Sequence, residues 1–368
     1  MKSSESKTKR DSYIDFLRSF SLIIVVIWHW AFSVLKITPE TISPSNPIGQ
    51  VGGMWAATWV LQVMPIFFFV GGYAHKNAFN KHSDSKLKFL STRYKRLLIP
   101  SLLLVGIWFG LGFTLKQFIV GDWVWSGVIL VLSPLWFLIV YLVLVTLTPL
   151  AISAHTRWNG IEIVWLVGIA AVFDVLRFSH GIGWAAWLNF LVIWSLAHQL
   201  GFYYEYLVMQ GKRLGWMLLW SGLFGLIALT NIGFYPRSVV GVPGERFSNM
   251  GPPTLAIVAL IFLQIGIVLV CREWTLNKLE TSSVWQKMFS WVNQNSLILY
   301  LFHTSGMAIV LAFLYLVFDY LPPEEPNLQW WLTRPVWIVL PAIATYPLIG
   351  FFRKITTKES ATETLETA

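Results

Sequence analysis

Apolar residues along this chain fall in long blocks separated by short polar segments. Neither the strict alternation of a half-buried strand nor the one-sided stripe of a soluble helix describes them. The blocks lie at about 14–35, 53–75, 97–118, 135–154, 161–179, 184–204, 214–234, 253–271, 296–318 and 330–351. Roughly 20 mostly apolar residues are needed to cross about 30 Å of hydrocarbon, and each block meets or approaches that length. In lipid a helix satisfies its own backbone, so each block predicts a membrane-spanning helix. The expected fold is an all-α membrane protein with about ten transmembrane helices. Pro100 predicts a bend or a start within the third span, and the fifth carries Asp174 and Arg177. The stretch from Trp123 to Leu132 is apolar but too short to span, and is expected to lie at the interface or to re-enter.

Composition supports the membrane reading. Of 368 residues 56% are hydrophobic and 12% charged, against about 25% charged in a soluble domain. The net charge of +9 gathers in short segments between the blocks, a topology signal and not a nucleic-acid footprint. Lys2, Lys7, Lys9 and Arg10 precede the first span. Lys76, Lys81, Lys86, Lys88, Arg93, Lys95 and Arg96 lie between the second and third, and Arg353, Lys354 and Lys358 follow the last. The alternate loops hold few cations besides Lys36, Arg237 and Arg246, and one is acidic from Asp319 to Glu325. Both termini are therefore expected in the cytoplasm, with the chain in the cytoplasmic membrane as a multi-pass protein.

The first block is full-length and carries charges, so it reads as a span and not as a cleavable signal. A single cysteine, Cys271, excludes an intramolecular disulfide. Residues 1–352 form one transmembrane domain, and 353–368 read as a polar cytoplasmic tail expected to be disordered. Tryptophans near span ends, such as Trp28, Trp30 and Trp330, are expected at the membrane interfaces.

Ionisable residues inside spans cost roughly 2.5–3.5 kcal/mol each on insertion scales, so each needs a partner or a role. Asp15 and Arg18 are close enough to pair on one helix face. His29 falls eleven residues after Arg18, about 20° from alignment and about 16 Å along the axis. An imidazole there serves either as an interhelical hydrogen-bond partner or as a proton acceptor near neutral pH. Arg93 and Arg96 share a helix face and suit either a phosphate site or ordinary cytoplasmic positive charge. In the segment 293–306, Asn293, Asn295 or Ser296 can cap a span that carries Tyr300 and His303 on one face. Asp174 and Arg177 are expected to neutralise each other, and His198 to make a polar interhelical contact. The sequence has no Walker loop, dinucleotide fingerprint, nucleophile elbow or metal-ligand spacing, and no metal is expected.

These residues together resemble the membrane-bound acyltransferase 3 family. Asp15, Arg18 and His29 match its Asp-x-x-Arg element and the histidine that follows, and Arg93 to Arg96 match its Arg-x-x-Arg element. The segment at 67–73 resembles its FFxxSGY with Gly71 in place of Ser, and 135–142 resembles its Leu-Trp-Phe-Leu segment at Trp136. The segment 296–303 resembles its Ser-Tyr-x-x-Tyr-Leu-x-His element, with Leu297 in place of the first Tyr. The resemblance spans about 11–350. It implies O-acyl transfer from cytoplasmic acyl-CoA, by default acetyl-CoA, with no permanently bound cofactor. The acceptor it implies is a hydroxyl of a carbohydrate, a lipid-linked glycan or another small molecule. On that reading His29, Arg18 and Asp15 are catalytic and Arg93 and Arg96 bind the phosphates of CoA. Tyr300, His303 and Trp136 then position substrate. The rival reading is a proton-coupled secondary transporter, which also buries Asp, Arg and His in about ten spans; the chain shows no inverted repeat to support it.

Overall fold

A computed structural model describes residues 11–81, 85–119, 121–232 and 234–366, with side chains in the last helix as far as Lys354. The cationic residues Lys2, Lys7, Lys9 and Arg10 lie outside them.

Helix α1 (Ser12–Phe32) leads into a short hairpin of β1 (Val34–Ile37) and β2 (Ile42–Ser45). α2 (Trp55–Leu61) and α3 (Met64–Lys81) follow, then α4 (Lys86–Lys116), the short α5 (Trp123–Leu132) and α6 (Leu135–Trp158). The chain continues through α7 (Ile161–Phe178), α8 (Ala185–Phe202), the short α9 (Tyr204–Met209) and α10 (Gly211–Asn231). After an irregular loop come α11 (Leu255–Thr281), the surface helix α12 (Ser283–Gln294), α13 (Ser296–Phe318), a single turn α14 (Leu328–Leu332) and α15 (Arg334–Glu366). The all-α membrane fold is as expected. α1 is the hub, touching α3, α11, α12, α13 and α15.

Among the described residues nine segments are long and apolar enough to cross a membrane. The tenth expected span is α7, whose 18 residues include Glu162, Asp174 and Arg177. Its polar side chains explain its place. Glu162 and Asp174 are buried at 3% and 1% exposure, while Val164, Trp165 and Val172 are exposed. The helix thus turns its carboxylates into the protein and offers lipid an apolar face. Asp174 accepts from Asn189 Nδ2 (3.0 Å), the Tyr235 hydroxyl (3.0 Å) and the Leu255 amide (2.7 Å). Arg177 instead lies over the rings of Phe178 and Phe247 and donates to the Pro252 carbonyl. The pair therefore does more than neutralise itself: it ties α7 and α8 to the loop before α11.

Three other expectations change in detail. Pro100 neither starts nor ends α4, which runs 31 residues, about 46 Å. The segment read as one second span is broken between α2 and α3 at Gln62 and Val63, just before Pro65. The break frees carbonyls of Trp59 and Gln62, and the buried Gln264 amide donates to both (3.3 and 2.7 Å), so the lipid-depth backbone stays satisfied. Trp30 and Trp330 are buried within the protein and not placed at its rim. Trp30 Nε1 donates to the His303 carbonyl (2.8 Å), and Trp330 lies beneath the Arg334 guanidinium.

α10 and α11 approach so closely that glycine is required at the crossing. A Cβ on Gly266 would stand 2.3 Å from the Leu219 amide, whereas one on Gly168, in α7, meets nothing within 4 Å. Gly266→Leu is expected to lower the melting temperature in detergent by about 5 °C or more, and Gly168→Ala to leave it unchanged or raised. Equal melting of the two variants would refute the crossing.

Candidate active site

The centre of the bundle is a chain of two imidazoles joining α1 to α13. His303, fully buried at 0% exposure, places Nδ1 2.6 Å from the carbonyl oxygen of Tyr300. A carbonyl only accepts, so Nδ1 of His303 carries its proton. Its Nε2 lies 3.0 Å from His29 Nδ1. A neutral His303 must accept there, and His29 Nδ1 must donate. The basic nitrogen of His29 is then Nε2, the one turned away from His303. Trp30 holds the His303 backbone, and Ser33 Oγ donates to the His29 carbonyl (2.6 Å). The His303 ring is held through both its nitrogens and the His29 ring through Nδ1.

His29 lines a cavity of about 460 Å³. Its walls come from α1, the break between α2 and α3, the start of α6, Phe190 of α8, Tyr300 and the loop before α11. The loop is well tied. Trp59 Nε1 donates to the Arg237 carbonyl (2.9 Å), Thr58 Oγ1 accepts from the Val239 amide, and Asn249 Nδ2 donates to the carbonyls of Pro236 and Ser238. Exposed Gly241 and Gly251 form its rim.

A second, narrower cavity of about 140 Å³ lies towards the other end of the bundle. Arg18, Arg93 and Arg96 line it with Tyr141 and Gly71. No carboxylate lines it. Ser296 and Leu297 also line it, at the start of α13. There Asn295 is the N-cap residue but makes no side-chain cap bond, and instead donates to the Trp291 carbonyl (2.7 Å). Asn295 thus does not play the capping role expected in this segment, and the first residues of α13 share the cavity wall with three arginines. Such a helix start joined to several arginines forms an anion site. Phe137 and Tyr300 line both cavities and form the wall between them. The Tyr300 hydroxyl donates to the Pro134 carbonyl, which holds that wall in place.

The residues singled out from the sequence divide as follows. Arg18, Arg93 and Arg96 meet in one cavity; His29 and Trp136 line the other; Tyr300 belongs to both. His303 lines neither and stands behind His29. Asp15 lies 3.8 Å from Arg18, which also donates to Asn293 Oδ1 (3.3 Å), and faces a third cavity between α1, α11 and α12. Sequence reasoning missed Phe137, Phe190, Gln62 and the loop. Only the Gln-Val-Met-Pro break at 62–65 carried a signal, because aromatic residues in apolar spans give none. It also placed His198 in an ordinary contact, and His198 Nε2 indeed meets His75 Nδ1 at 2.9 Å, both rings buried.

A polytopic helical bundle with one histidine in an internal cavity, a second histidine bonded behind it and clustered arginines in the adjoining cavity has the form of a membrane enzyme. Residues 11–352 match the acyltransferase 3 family, described as an acyltransferase domain. The chain belongs to that family and is an integral membrane O-acyltransferase. No curated protein and no solved structure matches it.

The hydrogen-bond chain makes a spectroscopic prediction. Side-chain ¹⁵N spectra of the solubilised protein at neutral pH are expected to show His29 and His303 both protonated at Nδ1 and bare at Nε2. A proton on His29 Nε2 would overturn the assignment.

Proposed function

We propose that the protein transfers an acyl group, by default acetyl, from acyl-CoA in the cytoplasm to a hydroxyl acceptor held in the larger cavity. The observation that carries this reading is the shared wall. An arginine-lined anion cavity and a histidine-lined cavity meet at Phe137 and Tyr300. The Lys/Arg bias of the loops supports a topology in which both termini, and the arginine end of the bundle, face the cytoplasm from the cytoplasmic membrane. Acyl-CoA then approaches from the side where it is made, with its phosphates on Arg18, Arg93, Arg96 and the start of α13. Its extended arm passes the Tyr300 wall, so that the thioester reaches His29. No cofactor stays bound between turnovers.

In the chemical step His29 Nε2 accepts the proton of the acceptor hydroxyl as its oxygen attacks the thioester carbonyl carbon. The tetrahedral intermediate collapses with cleavage of the C–S bond, and the proton passes from His29 to the departing thiolate. An ester and free CoA result. His303 acts as a positioning residue. By accepting from His29 Nδ1 it holds the tautomer with a basic Nε2, as the buried aspartate does in a serine hydrolase triad. Asp15 restrains Arg18 from the side.

Release of CoA from acetyl-CoA by the protein in liposomes, with cell extract as acceptor source, tests the scheme. His29→Ala is expected to abolish turnover, and His303→Leu to lower kcat about 100-fold with little change in KM for acetyl-CoA. Arg93→Ala and Arg96→Ala should raise that KM about tenfold with a smaller loss of kcat. The reverse pattern for the arginines would remove their phosphate role. Substrate-driven proton flux with no CoA release from any variant would favour the transporter reading instead.

A further inference from the structure

The larger cavity has a composition that discriminates among hydroxyl acceptors. No lysine, arginine, aspartate or glutamate lines it. Charged residues are within reach of its roof, since the loop above carries Arg237, Glu245 and Arg246. Yet Arg237 is drawn over the ring of Trp55 (5.8 Å) and Arg246 over that of Phe247 (5.0 Å). Glu245 does not line the cavity either. The walls are instead aromatic: Trp28, Trp136, Phe137 and Phe190. Trp136 is 37% exposed and meets Phe190 edge to face, at 6.3 Å between centroids. Its broad ring is therefore available as a platform.

Few polar groups face the space. Thr58 Oγ1 is engaged with the Trp55 carbonyl and the Val239 amide, and the Tyr300 hydroxyl with Pro134. Gln62 Nε2 has only the Met250 sulfur (3.3 Å), a weak acceptor, and so retains donor capacity. The other side-chain polar groups on the lining are neutral as well: His29, the indole N–H groups of Trp28 and Trp136, and the Ser248 hydroxyl, which accepts from the Met250 and Gly251 amides. A charged acceptor would leave water here with no counter-charge, which burial penalises heavily. A neutral ring with an apolar face would stack on Trp136 and present a hydroxyl to His29, with Gln62 to bond a second oxygen. The volume of about 460 Å³ suits one or two sugar units.

We propose, building on the acyl-transfer reading, that the acylated moiety is an uncharged ring polyol, a neutral sugar residue stacked on Trp136. Sugars bearing carboxylate or phosphate on the acylated unit are rejected. Any charge on the acceptor, such as a lipid phosphate carrier, stays outside the cavity mouth.

The test uses the full chain in liposomes with acetyl-labelled acetyl-CoA and a cell extract. Labelled product is treated with mild acid to free glycans from phosphate carriers and is then passed over an anion exchanger. Label in the neutral flow-through, at least about tenfold over the retained fraction, is expected. Label mainly retained would overturn the neutral-acceptor proposal while leaving acyl transfer intact. No label from the wild type with any extract would remove the acyl-transfer reading and this inference with it. Trp136→Ala is expected to raise the apparent KM for the neutral fraction about tenfold, and Trp136→Phe to restore most of it, with KM for acetyl-CoA unmoved in both. An equal rise in both Michaelis constants would show that Trp136 does not contact the acceptor.

Discussion

Two neutral imidazoles 3.0 Å apart, one on α1 and one on α13, form the contact on which the interior arrangement turns. A polar ring at lipid depth has no water to satisfy it, so its hydrogen bonds must come from the protein. His303 meets that demand with a carbonyl on one side and His29 on the other. Trp30 then uses the His303 carbonyl, so the indole of α1 and the imidazole of α13 lock the helices at two points. The same bonds that satisfy His303 also set the tautomer of His29. The packing of the two helices and the proposed proton transfer thus rest on one set of atoms.

Charge is distributed around this contact with a clear division. Guanidiniums from α1 and α4 crowd one cavity, where the start of α13 adds its partial positive charge. The adjoining cavity has no charged wall at all, although arginines lie on the loop above it. Such a partition suits a reaction between an anionic donor and an uncharged acceptor. In the proposed reaction the donor is held by electrostatics and the acceptor by aromatic surface and shape. Phe137 and Tyr300 line both cavities, so the charged and uncharged environments adjoin at these two residues.

Mobile-looking features prove to be tied. The loop before α11 is held by Asp174, Asn249, Thr58 and Trp59, so the roof of the larger cavity is preformed. Preorganisation of this kind lowers the ordering cost of binding. The break between α2 and α3 likewise contributes Gln62 to the cavity without leaving its backbone unsatisfied.

Block hydrophobicity and the sparse ionisable residues were enough, from the sequence alone, to give the all-α membrane fold, nearly every span, and His29, Arg18, Arg93, Arg96, Tyr300 and His303 as the residues of interest. Lipid makes these signals strong, because it requires long apolar runs and penalises every polar exception. The sequence also set Arg93 and Arg96 on one helix face, since spacing along a helix is a local property. Tertiary structure alone decided that His303 stands behind His29, that Asp15 and Arg18 face different cavities, and that Trp30 and Trp330 lie inside. It alone brought Phe137, Phe190, Gln62 and a distant loop to one space. Those outcomes depend on which helix faces meet, and an apolar span looks equally apolar on every side until its neighbours are in place.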